Sequence, residues 1–194
     1  VSMAQGYFVT GTDTGIGKTW TTVALMQYFK NQGKSVIGMK PIASGCDGLD
    51  GQLRNEDALL LQEHASVELS YQEVNPYAFA LPVSPHIAAE QVGVEINITS
   101  IVEKYQELEK SADIVLVEGV GGWLVPVNAQ QDVADLAQAL DLPVIIVVGM
   151  RLGCINQAKL TFAAIEQKGV TCKGWIASCV EQDMLMLDEN IRTL

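Results

Sequence analysis

Apolar runs and helix-period stretches alternate along nearly the whole chain. Tyr7-Phe8-Val9, Ser35 to Met39, Asp113 to Val117, Pro143 to Val148 and Gly174 to Ser178 read as strands. Asp113 to Val117 is almost continuously apolar, the pattern of a central strand covered on both faces, and Pro143 to Val148 reads as another buried strand. Helix-period segments fill the intervals: Trp20 to Asn31, Glu56 to about Ala65, a segment opening at Ser84-Pro85, Ser100 to about Lys110, Asp132 to Leu140, Asn156 to Gln167 and Asp183 to Leu194. Gly33 and Gly169 stop helices, Ser84-Pro85 supplies an N-cap with proline at the first helical position, and Ser100 with Glu103 fits a capping box. Ile42 to Arg54, with glycines at 45, 48 and 51, reads as loop, and Asn75-Pro76-Tyr77 as a turn or extended piece. No long linker or internal repeat interrupts the alternation. It predicts one α/β domain over residues 1–194, a parallel sheet with helices on both faces, with Val1-Ser2 ahead of Met3 set aside as a cloning remnant.

Ligands of such sheets collect at the carboxyl ends of the strands. Gly11 to Thr19, Lys40 to Ser44, Glu118 to Gly122, Arg151 to Asn156 and Ser178-Cys179 each follow a predicted strand, so they share one rim.

The first of these stretches, Gly11-Thr12-Asp13-Thr14-Gly15-Ile16-Gly17-Lys18-Thr19, has the strand, loop, helix context of a phosphate-binding loop, which makes the fold P-loop NTPase-like. Glycines at 11, 15 and 17 let several N–H groups turn onto one anion, and the helix start adds partial positive charge. Lys18 supplies a full charge for the outer phosphates, and the Thr19 hydroxyl suits magnesium. The strict pattern places its first glycine where Thr12 stands; here it comes one residue earlier. The plain alternative is a glycine-rich turn with a solvated lysine.

Other rim residues carry weaker signals. Glu118 closes an apolar strand where a nucleotide hydrolase often holds an acid for magnesium, against the alternative of a solvated strand-end carboxylate. Asp57 is a second candidate ligand, though the helix dipole alone favours an acid in a first turn. Lys40 can reach an anion on the loop, yet lysines at strand ends are commonplace, and Ser44 is weaker still. His86 reads as structural rather than catalytic.

Composition narrows the partners. With 48% apolar and 18% charged residues, the chain of 194 residues is a compact globular protein. A net charge of -11 with 12 Lys+Arg repels nucleic acid and anionic membranes, which leaves a small anionic ligand for the basic residues near the loop. Cys46, Cys154, Cys172 and Cys179 form no Cys-x-x-Cys pair and read as buried thiols of a reducing compartment. The longest apolar stretch, Leu142 to Met150, is too short to span a bilayer, and no signal peptide opens the chain, so a cytoplasmic location is expected.

Taken in order, Gly-Thr-Asp-Thr before Gly17-Lys18-Thr19, Lys40-Pro41-Ile42-Ala43-Ser44-Gly45, Leu53-Arg54-Asn55-Glu56-Asp57-Ala58, Asn75-Pro76-Tyr77, Ser84-Pro85-His86, Val117-Glu118-Gly119-Val120-Gly121-Gly122-Trp123 and Leu152-Gly153-Cys154-Ile155-Asn156 span almost the whole chain. In these motifs the chain closely resembles the dethiobiotin synthetases, ligases of biotin synthesis. The resemblance implies joining of CO2 to 7,8-diaminononanoate, activation of the carbamate by the γ-phosphate of ATP, and closure of a cyclic urea. It implies that Thr12, Asp13, Thr14, Gly15, Ile16, Gly17, Lys18, Thr19 and Ser178 bind ATP, and that Thr19, Asp57 and Glu118 hold Mg2+. Lys18 and Lys40 would neutralise the γ-phosphate and carbamate, with Thr14 and Ser44 at the reacting groups. Pro82 and Gly121 would meet the diamine. Family members are homodimers in which Gly153, Cys154, Ile155 and Asn156 bind the substrate carboxylate in the partner's site, as a helix start suits.

Two departures stand out. Ser178 occupies the place where an asparagine is expected to read adenine, and a serine offers no amide pair. The family also runs on past the place matching Leu194, to a proline-rich loop and strand where a nucleotide base rests. A different class, the partner-regulated ATPase switch of cell-division or partitioning systems, shares the fold but carries a second lysine earlier in its loop; here that place is Asp13, and neither a membrane-targeting helix nor a basic surface is evident.

Overall fold

The structure is a computed structural model that describes residues 4–49 and 51–194; the expectation for Val1-Ser2 lies outside the described residues. The chain begins with β1 (Gln5–Gly11), α1 (Lys18–Asn31) and β2 (Val36–Met39). Next come β3 (Ile42–Ala43), β4 (Asp47–Leu49), β5 (Gln52–Arg54), α2 (Glu56–Glu63), α3 (Tyr71–Val74), β6 (Tyr77–Ala78) and α4 (Pro85–Gln91). The rest is α5 (Ile98–Leu108), β7 (Ile114–Glu118), α6 (Val133–Leu140), β8 (Val144–Gly149), α7 (Cys154–Gln167), β9 (Cys172–Ser178) and α8 (Leu187–Thr193).

The central sheet has five strands in the order β2-β7-β1-β8-β9, and every pairing in it is parallel. Parallel neighbours need crossovers, and the helices that make them cover the sheet. This is why β2, β7 and β8 are apolar except for Glu118 at the end of β7: each of their residues is buried. Of the two edges, β9 stays partly exposed, while β2 is covered by α1 and α2. α1 and α2 pack together against β2, α5 packs with α6, and α7 lies on β8. The main core joins Phe8, Met26, Ile37, Leu61, Ile101, Leu116 and Leu136, fully buried side chains of the kind whose truncation to alanine costs about 2–5 kcal/mol.

The pattern reading needs correction in places. Ile42 to Arg54 is not all loop. β3 pairs in parallel with β6, and β4 and β5 form an antiparallel hairpin, with Gly51 at φ 76°. The Asp-Gly dipeptide there is a hairpin signal, masked because the flanking residues are mostly exposed rather than alternating. α3 was not anticipated; a single turn has too few residues to show a period. The cap of α5 is Asn97, whose Oδ1 accepts the Ser100 N–H at 3.1 Å, so Ser100 lies inside the first turn and no Ser100–Glu103 box forms. α7 begins two residues before the expected Asn156, at Cys154, and the last helix begins only at Leu187, after Met186 in the left-handed region. Cys46 and Cys154 are buried as expected, but Cys172 is half-buried and Cys179 exposed. Among the described residues no helix is long and apolar enough to cross a membrane.

Candidate active site

β1 runs out at Gly11, and the loop that follows is shaped by side chains passing over its glycines. A Cβ on Gly11 would meet Ile16 Cδ1 at 2.8 Å and Lys18 Cδ at 2.9 Å, so the displaced glycine makes room for Ile16 to dive into the core and for the Lys18 stem to cross the strand. Ile16 is 1% exposed and packs with Val9 and Val147. Gly15 and Gly17 sit at φ 69° and 83°, where side chains rarely go. Gly17 caps α1 without a side chain, so no carboxylate or hydroxyl from the cap position competes for the N-terminal amides of the helix.

Lys18 is buried at 7% exposure, with its Nζ donating to the Asp13 carbonyl at 3.2 Å. Burial, helped by the nearby Lys40 cation, pulls its pKa down to about 8 although Glu118, Asp57 and Asp13 oppose the fall. Lys40 lies one residue past β2. Burial works to lower its pKa, but Glu118 and Asp57 outweigh that and raise it above the ordinary lysine value. Its Nζ donates to Glu118 Oε1 at 2.8 Å and to Asp57 Oδ2 at 3.1 Å. The Thr19 hydroxyl donates to the same Glu118 oxygen at 2.8 Å. Two chain segments, through Lys40 and Thr19, thus converge on one carboxylate whose residue is 1% exposed.

The other Glu118 oxygen, Oε2, is buried with no hydrogen-bond partner, and so is Ser44 Oγ. An orphaned anionic oxygen beside a threonine hydroxyl and a second, half-exposed carboxylate fits a hard divalent cation such as magnesium, which takes oxygen ligands. A cavity of about 840 Å³ opens over these groups, lined among others by Thr14 to Thr19, Lys40, Ser44, Asp57, Pro82, Glu118 and Gly121. Gly121 adopts φ 61°, and a Cβ there would come within 3.5 Å of Thr14 Oγ1, so the loop after β7 faces the loop after β1 across the cavity. A cleft of this size, with two lysines and the start of α1 at its base, accommodates a polyphosphate with a second ligand beside it.

Several expected site residues lie elsewhere. Thr12 is part of the loop's frame, its N–H donating to the Val147 carbonyl at 3.1 Å. Asp13 accepts the Thr14 N–H at 2.7 Å and pairs with Arg151 at 2.5 Å, which ties the loop to the segment after β8. Ser178 is close to Gly17, where an added Cβ would stand 2.6 Å from its Oγ. Gly153 to Asn156 are not on the cavity wall. Gly153, at φ 98°, opens α7; Cys154 is buried and its N–H is taken by the Arg151 carbonyl at 3.0 Å. His86 bonds Ser84 Oγ at 3.0 Å and is absent from the lining. Asn55, Trp20 and Val180 line the cavity without having been singled out; only Asn55 carried a legible signal, as a good N-cap before an acidic first turn.

The family model described as "AAA domain" matches residues 5–194. The fold resembles solved P-loop proteins. The MinC:MinD cell division complex of Aquifex aeolicus superposes with a TM-score of 0.56 at 18% identity, covering 98% of this chain and 78% of that one. The signal recognition particle receptor FtsY of Elizabethkingia anophelis gives 0.52 at 18% identity, covering 84% and 46%. Sequence relatives are much nearer. The protein named ATP-dependent dethiobiotin synthetase BioD of Xanthomonas oryzae pv. oryzae is 48% identical over 188 residues, 97% of this chain and 84% of the relative. Its namesake in Nitrosospira multiformis is 46% identical over 194 residues, 100% of this chain and 84% of the relative. Matched at this level from end to end, the chain belongs to the ATP-dependent dethiobiotin synthetase family.

Proposed function

We propose that this chain is an ATP- and magnesium-dependent cyclo-ligase that forms dethiobiotin from 7,8-diaminononanoate and CO2, releasing ADP and phosphate. The observation that carries the reading is the convergence of Lys18, Lys40, Thr19 and Glu118 at the base of a single cleft, in a chain of this family. One amine of the diamine attacks CO2 and loses a proton, giving a carbamate. A carbamate oxygen then takes the γ-phosphoryl group from ATP and ADP leaves. The second amine attacks the activated carbonyl carbon and loses a proton, phosphate departs, and the cyclic urea closes.

The polar groups at the base of the cleft have parts in that sequence. The loop amides and Lys18 hold the phosphates; Lys40, freed from one of its carboxylate partners by the arriving anion, bridges γ-phosphate and carbamate. Positioning and charge neutralisation of this kind supply most of the acceleration in phosphoryl transfer. The Thr14 and Ser44 hydroxyls orient the reacting groups, while Pro82 and Gly121 border the diamine. Thr19, Asp57 and Glu118 would hold Mg2+, which neutralises phosphate charge when bound. Gly153 to Asn156, away from the chain's own cleft, serve the carboxylate of a substrate bound by the partner in a homodimer, with the N–H groups of Ile155 and Asn156 as donors. The reaction belongs in the cytoplasm, where ATP is supplied.

Incubation with diaminononanoate, bicarbonate and Mg-ATP tests the reading: diamine-dependent phosphate release and dethiobiotin are expected. Phosphate release that ignores the diamine and responds to DNA or lipid instead would return the chain to the ATPase switches.

A further inference from the structure

Lys40 and Asp57 reach the same point from different elements, 17 residues apart in sequence. Lys40 lies past the end of the β2–β7 ladder, and its main chain is held by the segment 71–75 instead. Its N–H donates to the Val74 carbonyl at 2.9 Å, and its carbonyl accepts Asn75 Nδ2 at 2.7 Å. Asn75 Oδ1 accepts the Tyr71 hydroxyl at 2.7 Å, and the same hydroxyl oxygen accepts the Asn55 N–H at 2.8 Å. Asn55 caps α2 by accepting the Ala58 N–H at 3.1 Å. Asp57, in that first turn, pairs back with Lys40 Nζ at 3.1 Å.

The bonds close a ring that leaves Lys40 at its carbonyl and returns at its ammonium. Asn75 and Tyr71 are 2% and 7% exposed, and neither lines the cleft. The Arg54 guanidinium stacks 4.2 Å over the Tyr71 ring and fixes its plane. Buried amide and phenol groups with every polar atom used make a rigid frame.

We infer that Asn75 and Tyr71 are positioning residues for the phosphoryl-transfer step, setting the Lys40 ammonium against Asp57 through their separate main-chain anchors. The inference rests on the function proposed above. Small misplacements of a charge that acts in the transition state cost rate far more than they cost binding.

Tyr71→Phe keeps the ring under Arg54 and removes only the hydroxyl. In a protein that circular dichroism shows to be folded, kcat for diamine-dependent phosphate release should fall about 10-fold or more, while the KM for ATP changes less than about twofold. Asn75→Ala should do the same, and the double variant should lose no more than the worse single, because both break one ring. A folded Tyr71→Phe protein with unchanged kcat, or losses that multiply in the double variant, would overturn the inference. If Asn75→Ala does not fold, Tyr71→Phe decides alone. Should the unaltered protein show no diamine-dependent turnover, the functional reading fails first. Crystal structures of it and of Tyr71→Phe then judge the ring: a Lys40 ammonium displaced from Asp57 supports it, and an unchanged contact sinks it.

Discussion

Lys40 Nζ stands 2.8 Å from Glu118 Oε1, and both side chains are almost wholly out of solvent. The pair joins the ends of β2 and β7, neighbours in the sheet, so the backbone of the core brings the two charges together. A buried pair of this kind adds little net stability, because desolvation offsets the attraction, but it is costly to break from one side. In the proposed reaction the pair holds a cation where an anion is to be received.

Lys40→Ala should therefore show two separable effects. Turnover should drop by about 10²–10³-fold, the range for removing one charge-stabilising donor from an active site, while ATP still binds through the loop and Lys18. Stability should fall by about 3–5 kcal/mol at neutral pH, since Glu118 is left without its cation. Steady-state kinetics, nucleotide titration calorimetry and denaturant melts measure the three quantities. Near-normal turnover would remove Lys40 from the mechanism.

Much of this site was legible because it follows from strand ends. Glu118 and Lys40 are the residues at which buried apolar runs stop, and a parallel sheet aligns such stops on one rim. Lys18 and Thr19 were legible from the loop motif. The Asn75–Tyr71–Asn55 frame was not: its bonds join residues on separate short segments, and no local period reports a contact between them. The Asp13–Arg151 pair was hidden for the same reason, at a sequence separation of 138. The hairpin of β4 and β5 escaped because its side chains are mostly exposed, which erases the alternation that marks a half-buried strand.

Glu118→Gln should loosen the metal at a smaller cost in stability than Lys40→Ala, because Lys40 keeps Asp57 as a counter-charge. The amide oxygen still accepts from Lys40 and Thr19, but the charge on the buried pair of oxygens is gone. The Mg2+ concentration for half-maximal activity should rise about 10- to 100-fold, and direct Mn2+ titration in the presence of a non-hydrolysable nucleotide should show the same weakening. Unchanged metal affinity would assign the cation to other oxygens.

Nucleotide binding should depend on pH through Lys18. Its pKa of about 8 means that the ammonium is present below that pH and lost as pH rises through it. Affinity of the free protein for ATP should then fall by up to about tenfold per pH unit above 8, and calorimetry in buffers of different ionisation enthalpy should detect proton uptake on binding there. Stability moves the other way. The lowered pKa makes the unfolded chain bind more protons between about 8 and 10.5, so the penalty of burying Lys18 is fully present below 8 and is relieved across that window. Lys40 keeps its contribution below 10.5 because its pKa is raised. Lys18→Met should lack the relief, and its stability advantage should shrink as pH climbs from 8 towards 10.

Ser178→Asn should sharpen nucleotide choice. Ser178 ends β9 at the rim, beside Gly17 and so beside the end of the phosphate loop, where α1 begins. A serine hydroxyl there offers one donor on a short arm. An asparagine carries a carbonyl and an amide, a pair that distinguishes the donor and acceptor edges of adenine from those of guanine, and a nucleotide that leaves a buried polar pair unmatched is penalised. The ratio of kcat/KM for ATP over GTP should rise by about 10-fold or more in the variant, with kcat for ATP little altered because β9 stands at the sheet edge opposite β2 and β7, at whose ends Lys40 and Glu118 lie. If the ratio stays where the unaltered protein has it, the base is read by groups other than the end of β9, and Val180, on the cleft wall two residues beyond, becomes the next position to vary.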